Sequence, residues 1–229
     1  MPNWVFNNLH IEGSEEEIKR VREQLAKPIS YDMETSKWNA ETEKWDRVKE
    51  KVEWKEPIFA FWNIIAPTDL EAYAKQPERS GVPLEDPEWW IKTEAFSRTQ
   101  NDWYNWNNNN WGTKWDVCGE SRITGEGSTF VGYYFNTAWA PPVPALERLS
   151  EQYPNLKITL DWEEEQGFGG QLVLEDGDIV EDEGYDSKCQ ECDSKDCVAY
   201  CDDCNENVCK SCGYNESDEV CDAHKKVEA

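Results

Sequence analysis

Apolar and polar side chains alternate most regularly over residues 156–163, which read Leu156-Lys157-Ile158-Thr159-Leu160-Asp161-Trp162-Glu163. Strict alternation of this kind is typical of a β-strand with one buried and one exposed face. The segment before it has helical periodicity, because prolines open it and Leu146, Leu149 and Tyr153 recur on one stripe. Residues 130–137 alternate again ahead of that helix, so this part of the chain predicts strand, helix, strand.

The same order of elements is predicted in the first part of the chain. Residues 5–11 alternate, Ser14 and Glu17 form a capping box at the start of a helix, and the apolar run 58–65 is short enough for a buried strand. Two strand–helix–strand units predict an α+β protein, a ferredoxin-like βαββαβ sandwich with one antiparallel sheet and two helices on one face. An Asp-Gly turn within residues 172–180 predicts a hairpin that extends the sheet.

Two segments lie outside this repeat and are predicted insertions, at about residues 30–57 and 67–128. The first has aromatic and valine spacings compatible with an amphipathic helix from about Ala40 onward, and prolines in the second predict short helices and loops. We therefore predict a ferredoxin-like domain over residues 1–180. An acidic linker and a small zinc-stabilised module follow over residues 181–229.

The tail of the chain carries four pairs of metal-ligating residues, and two residues separate the members of each pair. Two donors at this spacing can bind one ion from a single turn, and eight donors complete two tetrahedral sites. Thiolate and imidazole ligands favour zinc, and four protein ligands leave no position for a catalytic water, so we predict two structural zinc ions. The predicted ligands are Cys189, Cys192, Cys201, Cys204, Cys209, Cys212, Cys221 and His224.

Cys197 is an additional donor in the same tail and is an alternative ligand in place of Cys192 or Cys201. Iron–sulfur ligation is a competing interpretation of the cysteines, although His224 and the paired spacing fit zinc better. A disulfide framework is the other alternative. The start of the chain lacks the basic and apolar regions of a signal peptide, which favours metal ligation.

Residues 103–115 are rich in tryptophan and asparagine. Aromatic rings beside amide side chains are typical of a platform that stacks and hydrogen-bonds a base or a sugar. The alternative is structural, with the indoles sealing the sheet and the asparagines forming turns. The candidate ligand-binding residues of this segment are Trp106, Asn110, Trp111 and Lys114.

The formal net charge of −25 restricts the classes of partner. Sequence-independent nucleic-acid binding depends on Lys and Arg, so direct binding of DNA or RNA is not expected. Such acidity favours solubility, attraction to a basic protein, or mimicry of a nucleic acid. With two histidines, one of them a predicted zinc ligand, we assign no catalytic residues and favour a non-enzymatic protein. No apolar run reaches about 18 residues, so we expect no membrane span and a cytoplasmic location.

Four short motifs occur in order along the chain: Pro2-Asn3-Trp4 with Asn7, then residues 110–116, 137–142 and 164–170. Together they resemble the YubB ferredoxin-like domain family of phage and plasmid proteins, over about residues 2–180. The first motif departs from the family pattern, which has Cys where Val5 stands. The resemblance implies a mobile-element protein that works inside a bacterial cell, in the host cytoplasm if it is phage-encoded.

The centre of the tail, residues 200–204 with 209–212, resembles a B-box type zinc finger. In that class the first ligand pair shares an ion with the third pair and the second with the fourth. The resemblance therefore implies two ligand sets: Cys189, Cys192, Cys209 and Cys212 at one zinc, and Cys201, Cys204, Cys221 and His224 at the other.

These features lead to one functional hypothesis and two alternatives. We expect an accessory protein in which the ferredoxin-like domain is a scaffold and the zinc module presents an acidic surface to a host or phage protein with a basic surface. The first alternative is an enzyme or binding protein for a nucleotide or sugar that uses residues 103–115. The second is an acidic mimic of nucleic acid.

Overall fold

The computed structural model describes residues 3–185, 199–201, 206–208, 214–215 and 220–221. Its main feature is a six-stranded sheet in which every pair of neighbouring strands is antiparallel. In spatial order the strands are β4 (Cys118–Glu126), β5 (Phe130–Ala138), β1 (Trp4–Glu12), β6 (Lys157–Glu164), β7 (Gly169–Glu175) and β8 (Asp178–Tyr185).

Two helices, α1 (Glu15–Leu25) and α5 (Val143–Gln152), pack against the sheet and contribute to one hydrophobic core. The apolar stripe of α1 is buried, and its first turn is capped by the Ser14 hydroxyl, which accepts a hydrogen bond from Glu17 N at 3.3 Å. Strand β1 pairs with both β5 and β6, and its alternate residues are buried in the core. The order β4-β5-β1-β6 is that of a βαββαβ sandwich, which confirms the predicted α+β, ferredoxin-like fold.

The second strand of this repeat is β4, and the prediction of a strand at residues 58–65 is wrong. Phe59, Ala60, Phe61 and Ile64 of that run are buried, but the run contains a 3-10 turn, Phe61–Asn63. The Asp116 carboxylate accepts hydrogen bonds from Phe61 N at 2.7 Å and Trp62 N at 3.0 Å, so these N–H groups do not pair with a strand. An apolar run of this length does not by itself distinguish a strand from other buried backbone.

The amphipathic helix predicted from about Ala40 is also wrong. The insertion is a hairpin of β2 (Ile29–Asn39) and β3 (Lys44–Trp54), paired in its own two-stranded sheet. Spacings of two and four residues, as at Val48, Val52 and Trp54, place side chains on one side of a strand as readily as on one side of a helix.

The hairpin is attached to the rest of the domain through its first strand. Tyr31 stacks on Trp62 with ring centroids 4.1 Å apart, and Glu34 N donates to Ala74 O at 2.8 Å. The second insertion contains the predicted short helices, which are α2 (Leu70–Tyr73), α3 (Trp89–Arg98) and α4 (Trp103–Asn110).

The predicted hairpin at the end of the sheet is present as β7 and β8. Strand β8 continues to Tyr185, so residues 181–185 form a strand where we predicted the start of a linker. Beyond it the structure describes four short strands that form two hairpins: β9 (Ala199–Cys201), β10 (Glu206–Val208), β11 (Tyr214–Asn215) and β12 (Val220–Cys221). Among the described helices, none is long and apolar enough to cross a membrane.

Replacing Asp116 by asparagine tests the role of its carboxylate in the core. Oδ1 accepts from Phe61 N and Val117 N, and Oδ2 accepts from Trp62 N, so an amide nitrogen would face at least one N–H donor. Burial raises the pKa of this carboxyl to about 6, and the three donors oppose that effect. We expect Asp116→Asn to lower the free energy of unfolding by about 1–3 kcal/mol in chemical denaturation.

Asp32 is the matched control because its side chain is exposed. Asp32→Asn should change stability by less than about 0.5 kcal/mol. Equal stability of the two variants would contradict the structural role of Asp116.

Candidate functional site

The four motifs that carry the family resemblance are distant in sequence but meet at one end of the sheet. This end is formed by the start of β1, the end of β5 and the end of β6. Three hydrogen bonds join the motifs: Trp139 N to Asn3 O (2.9 Å), Glu165 N to Trp4 O (3.0 Å) and the Thr113 hydroxyl to Ala138 O (2.9 Å). The four motifs therefore form one contiguous site.

A buried polar layer supports this end of the sheet. Asn7 is fully buried, and its amide nitrogen donates to Val5 O at 2.9 Å and to the Thr137 hydroxyl oxygen at 3.0 Å. The Thr137 hydroxyl in turn donates to Ala140 O at 2.8 Å, which fixes the chain where it leaves β5. Glu164 is also buried, and its carboxylate accepts from Gln166 N at 2.7 Å.

Lys114 lies in an aromatic cluster above this layer. Its ammonium is 4.5 Å from the ring centroid of Trp115 and 4.7 Å from that of Trp139. Trp4 lies beside Trp115 at 6.3 Å between centroids, and Tyr104 contacts Trp139 edge-on at 6.0 Å. Within the described ranges the ammonium has no carboxylate partner. A cation held over two indoles keeps its charge available to an incoming acceptor.

The backbone beneath Lys114 is fixed by a buried asparagine. Asn107 donates from its amide to Lys114 O at 2.9 Å and accepts from the Tyr73 hydroxyl at 3.0 Å. Burial raises the pKa of Tyr73 above its ordinary value, so this hydroxyl remains a donor at neutral pH. The position of Lys114 is thus determined by the core.

Trp139 is the most unusual residue of the cluster. It is 44% exposed, and its backbone φ of +79° lies in the left-handed region, which a bulky side chain rarely adopts. Its N–H bond to Asn3 O and the buried Thr137 on the same segment maintain that conformation. Strain of this kind occurs preferentially at sites with a function.

The structure separates the four predicted ligand-binding residues. Trp111 is 1% exposed and donates from Nε1 to Ile65 O at 3.0 Å, and Trp106 packs against it with centroids 5.3 Å apart. The Asn110 amide donates to Trp106 O at 2.8 Å within α4. These three contribute to folding, whereas Lys114 belongs to the partly exposed cluster around Trp139. Sequence reasoning missed Trp139, although it stands in one of the resemblance motifs.

The predicted zinc ligands lie mostly outside the described residues. Cys201 ends β9 and Cys221 ends β12, and the other six predicted ligands, with Cys197, lie outside the described ranges. In the part of the chain that is described, no group of three or more His, Cys, Asp or Glu side chains is arranged to hold a metal ion. The two zinc ions stay a prediction.

The fold and this site define an α+β protein with an antiparallel sheet and a ferredoxin-like domain. Residues 110–202 match the family model described as the ferredoxin-like domain in Api92-like protein. The crystal structure of protein api92 from Yersinia pseudotuberculosis is similar at 11% sequence identity, with 82% of this chain and 99% of that chain covered and a TM-score of 0.43. No curated protein matches the chain.

The backbone strain at Trp139 is measurable by comparing glycine with alanine at that position. Both substitutions remove the indole, but only glycine adopts a positive φ at no steric cost. We expect Trp139→Gly to be more stable than Trp139→Ala by about 1 kcal/mol in urea denaturation. At exposed Trp45 in β3 the order should reverse, because glycine weakens a strand. If the alanine variant is more stable than the glycine variant at both positions, the backbone at Trp139 is not strained.

Proposed function

We propose that the protein is a non-enzymatic accessory protein, of phage or plasmid type, that binds a host protein through an acidic surface. The proposal rests on the hairpin of β7 and β8. Residues 169–185 contain no Lys or Arg, and six exposed acids cluster near the turn and along β8: Glu175, Asp176, Asp178, Glu181, Asp182 and Glu183. Across the described ranges none of the six forms an ion pair.

An exposed strand with this charge favours a partner of opposite sign. β8 is the last strand in the sheet order, and its acids are solvated rather than neutralised by neighbouring lysines. Complementary charge steers association and excludes partners of like charge, nucleic acid included. The acidity continues through the tail, where residues 175–228 include five Lys and no Arg. A basic protein in the host cytoplasm is the partner that fits this surface.

Neutralising β8 should weaken binding of such a partner. The test variant combines Asp178→Asn, Glu181→Gln, Asp182→Asn and Glu183→Gln. For a partner recovered from bacterial lysate with the wild-type chain, we expect the dissociation constant at low salt to rise at least about tenfold, with a shallower salt dependence. Titrations at several ionic strengths measure both quantities.

A control variant removes the same charge elsewhere, through Asp32→Asn, Glu41→Gln, Glu71→Gln and Glu78→Gln, all at exposed positions. It should bind within about threefold of wild type. Equal losses in both variants would indicate a response to net charge alone and contradict a docking role for β8. A partner that free DNA displaces would support the alternative function as a nucleic-acid mimic.

The proposal includes a structural zinc module that follows this hairpin in the sequence. Eight donors in four pairs supply two closed sites, and metal binding provides folding energy that a segment poor in apolar residues lacks. The short strands β9 and β12 each end on a predicted ligand, Cys201 and Cys221. The module would hold the acidic tail in a fixed shape for the partner.

We expect two zinc ions per chain by elemental analysis of protein purified without chelator. Cys201→Ser should retain one ion, because the B-box resemblance assigns Cys201 to only one of the two sites. Cys118→Ser is the matched control, since Cys118 lies in β4 outside the tail, and it should retain two. One equivalent or less in the wild type, or an iron–sulfur absorbance band, would contradict the assignment.

The Lys114 cluster supports a second candidate function, the binding of a nucleotide or sugar. An ammonium between two indoles offers a donor to a phosphate, and the exposed ring of Trp139 offers a stacking surface. The binding residues would be Lys114, Trp115 and Trp139.

AMP and maltose serve as probes for this candidate in calorimetric titrations. We expect AMP to bind, and Lys114→Met to weaken it about tenfold or more through loss of the charged donor. Lys75→Met, at an exposed position outside the cluster, should leave AMP binding unchanged. Absence of saturable binding for both probes, or equal binding by Lys114→Met, would exclude the second candidate.

A further inference from the structure

A cleft runs between α1 and the edge strand β4, away from the Lys114 cluster and from β8. It encloses about 580 Å³, within the range of small-molecule sites. Its walls are largely apolar, with Ile18 and Ala26 on the α1 side and Pro57, Ile58 and Ile123 opposite. Ile58 and Ile123 are 39% and 40% exposed, so apolar surface is left open to a ligand.

One buried polar group contributes to the wall of this cleft. Tyr133 is 2% exposed and packs its ring on Phe59 at 5.2 Å between centroids. Its hydroxyl makes no hydrogen bond to any residue that the structure describes, and Tyr133 lines the cleft. Burial raises the pKa of Tyr133 to about 12, so the hydroxyl stays protonated and can donate. The hydroxyl is not among the buried side-chain atoms that lack a partner, so it reaches the cleft and is available to donate to a ligand there.

A guanidinium lines the same cleft as this hydroxyl. Arg22 lines the cleft and forms an ion pair with Glu126 that links α1 to β4. A guanidinium has five N–H donors, and the pair with Glu126 engages Nη2, which leaves donors for a second acceptor. Arg22 and Tyr133 both line the cleft, so their donors face the same space.

We propose that the cleft between α1 and β4 binds a small amphiphilic carboxylate, with its apolar body between Ile58, Ile123 and Ile18 and its carboxylate at Arg22 and the Tyr133 hydroxyl. The apolar walls and the paired donors complement the two parts of such a molecule. Guanidinium and hydroxyl donors bind a carboxylate more strongly than a neutral oxygen. Glu15 and Glu23 also line the cleft and would attract a cation. A cationic amphiphile is therefore the comparison that tests whether the cleft selects a carboxylate.

Three probes with the same ten-carbon chain test the proposal on the 229-residue chain purified without chelator: decanoate, decanol and decyltrimethylammonium, each below its micelle-forming concentration. Titrations followed by NMR chemical shifts measure affinity. We expect saturable binding of decanoate, at least tenfold weaker binding of decanol, and no binding of the cation. Absence of saturable decanoate binding, or binding of either other probe as tightly as decanoate, would overturn the proposal.

Two variants locate the binding. Tyr133→Phe removes only the hydroxyl and should weaken decanoate about tenfold. Ile58→Ser should weaken all chain-dependent binding, whereas Ile179→Ser, equally exposed on β8, should have no effect. Wild-type affinity in both Tyr133→Phe and Ile58→Ser would overturn the assignment to this cleft. The comparison of the three probes on the wild-type chain stands even if one variant fails to fold.

Discussion

The backbone N–H groups of Phe61, Trp62 and Val117 donate to the carboxylate of Asp116, and this partly buried acceptor joins distant parts of the chain. Phe61 and Trp62 follow the β2–β3 hairpin, and Val117 directly precedes β4. Because unpaired buried N–H groups are costly, the carboxylate fixes the path of both segments at once. The ferredoxin-like repeat therefore closes although 54 residues, 64–117, lie between the 3-10 turn and β4, its second strand.

The position of Asp116 also explains why the exposed cluster lies where it does. Lys114 and Trp115 directly precede it, so the bonds that hold Asp116 bring these side chains to the start of β1 and the end of β5. The Thr113 hydroxyl binds Ala138 on β5. Trp139, the next residue, therefore meets Lys114 from the other side. The same core contacts that close the fold thus assemble the candidate site.

The predictability of each element follows from how local its determinants are. Strand β6 and helix α1 were predictable because alternation and a capping box are properties of neighbouring residues. Strand β4 was not predictable from its own residues, because it is an edge strand with a polar sequence and irregular pairing. It forms a strand because it pairs with β5, and that contact is not visible in any local pattern. The burial of Trp111 and the exposure of Trp139 depend on contacts across the fold, so the sequence favoured the wrong tryptophans for the site.

The sheet order resolves an apparent conflict between an acidic protein and a site for an anion. Strands β4 and β8 lie at opposite edges, five strand spacings apart, which is roughly 24 Å at about 4.8 Å per spacing. The Debye length at physiological ionic strength is about 8 Å, so the acids of β8 are screened from the Arg22 cleft. At the β4 edge the Arg122 guanidinium lies 4.1 Å from the centroid of the Tyr134 ring, which leaves positive charge on that side. The proposed partner at β8 and the proposed carboxylate near β4 would therefore bind without electrostatic competition between them.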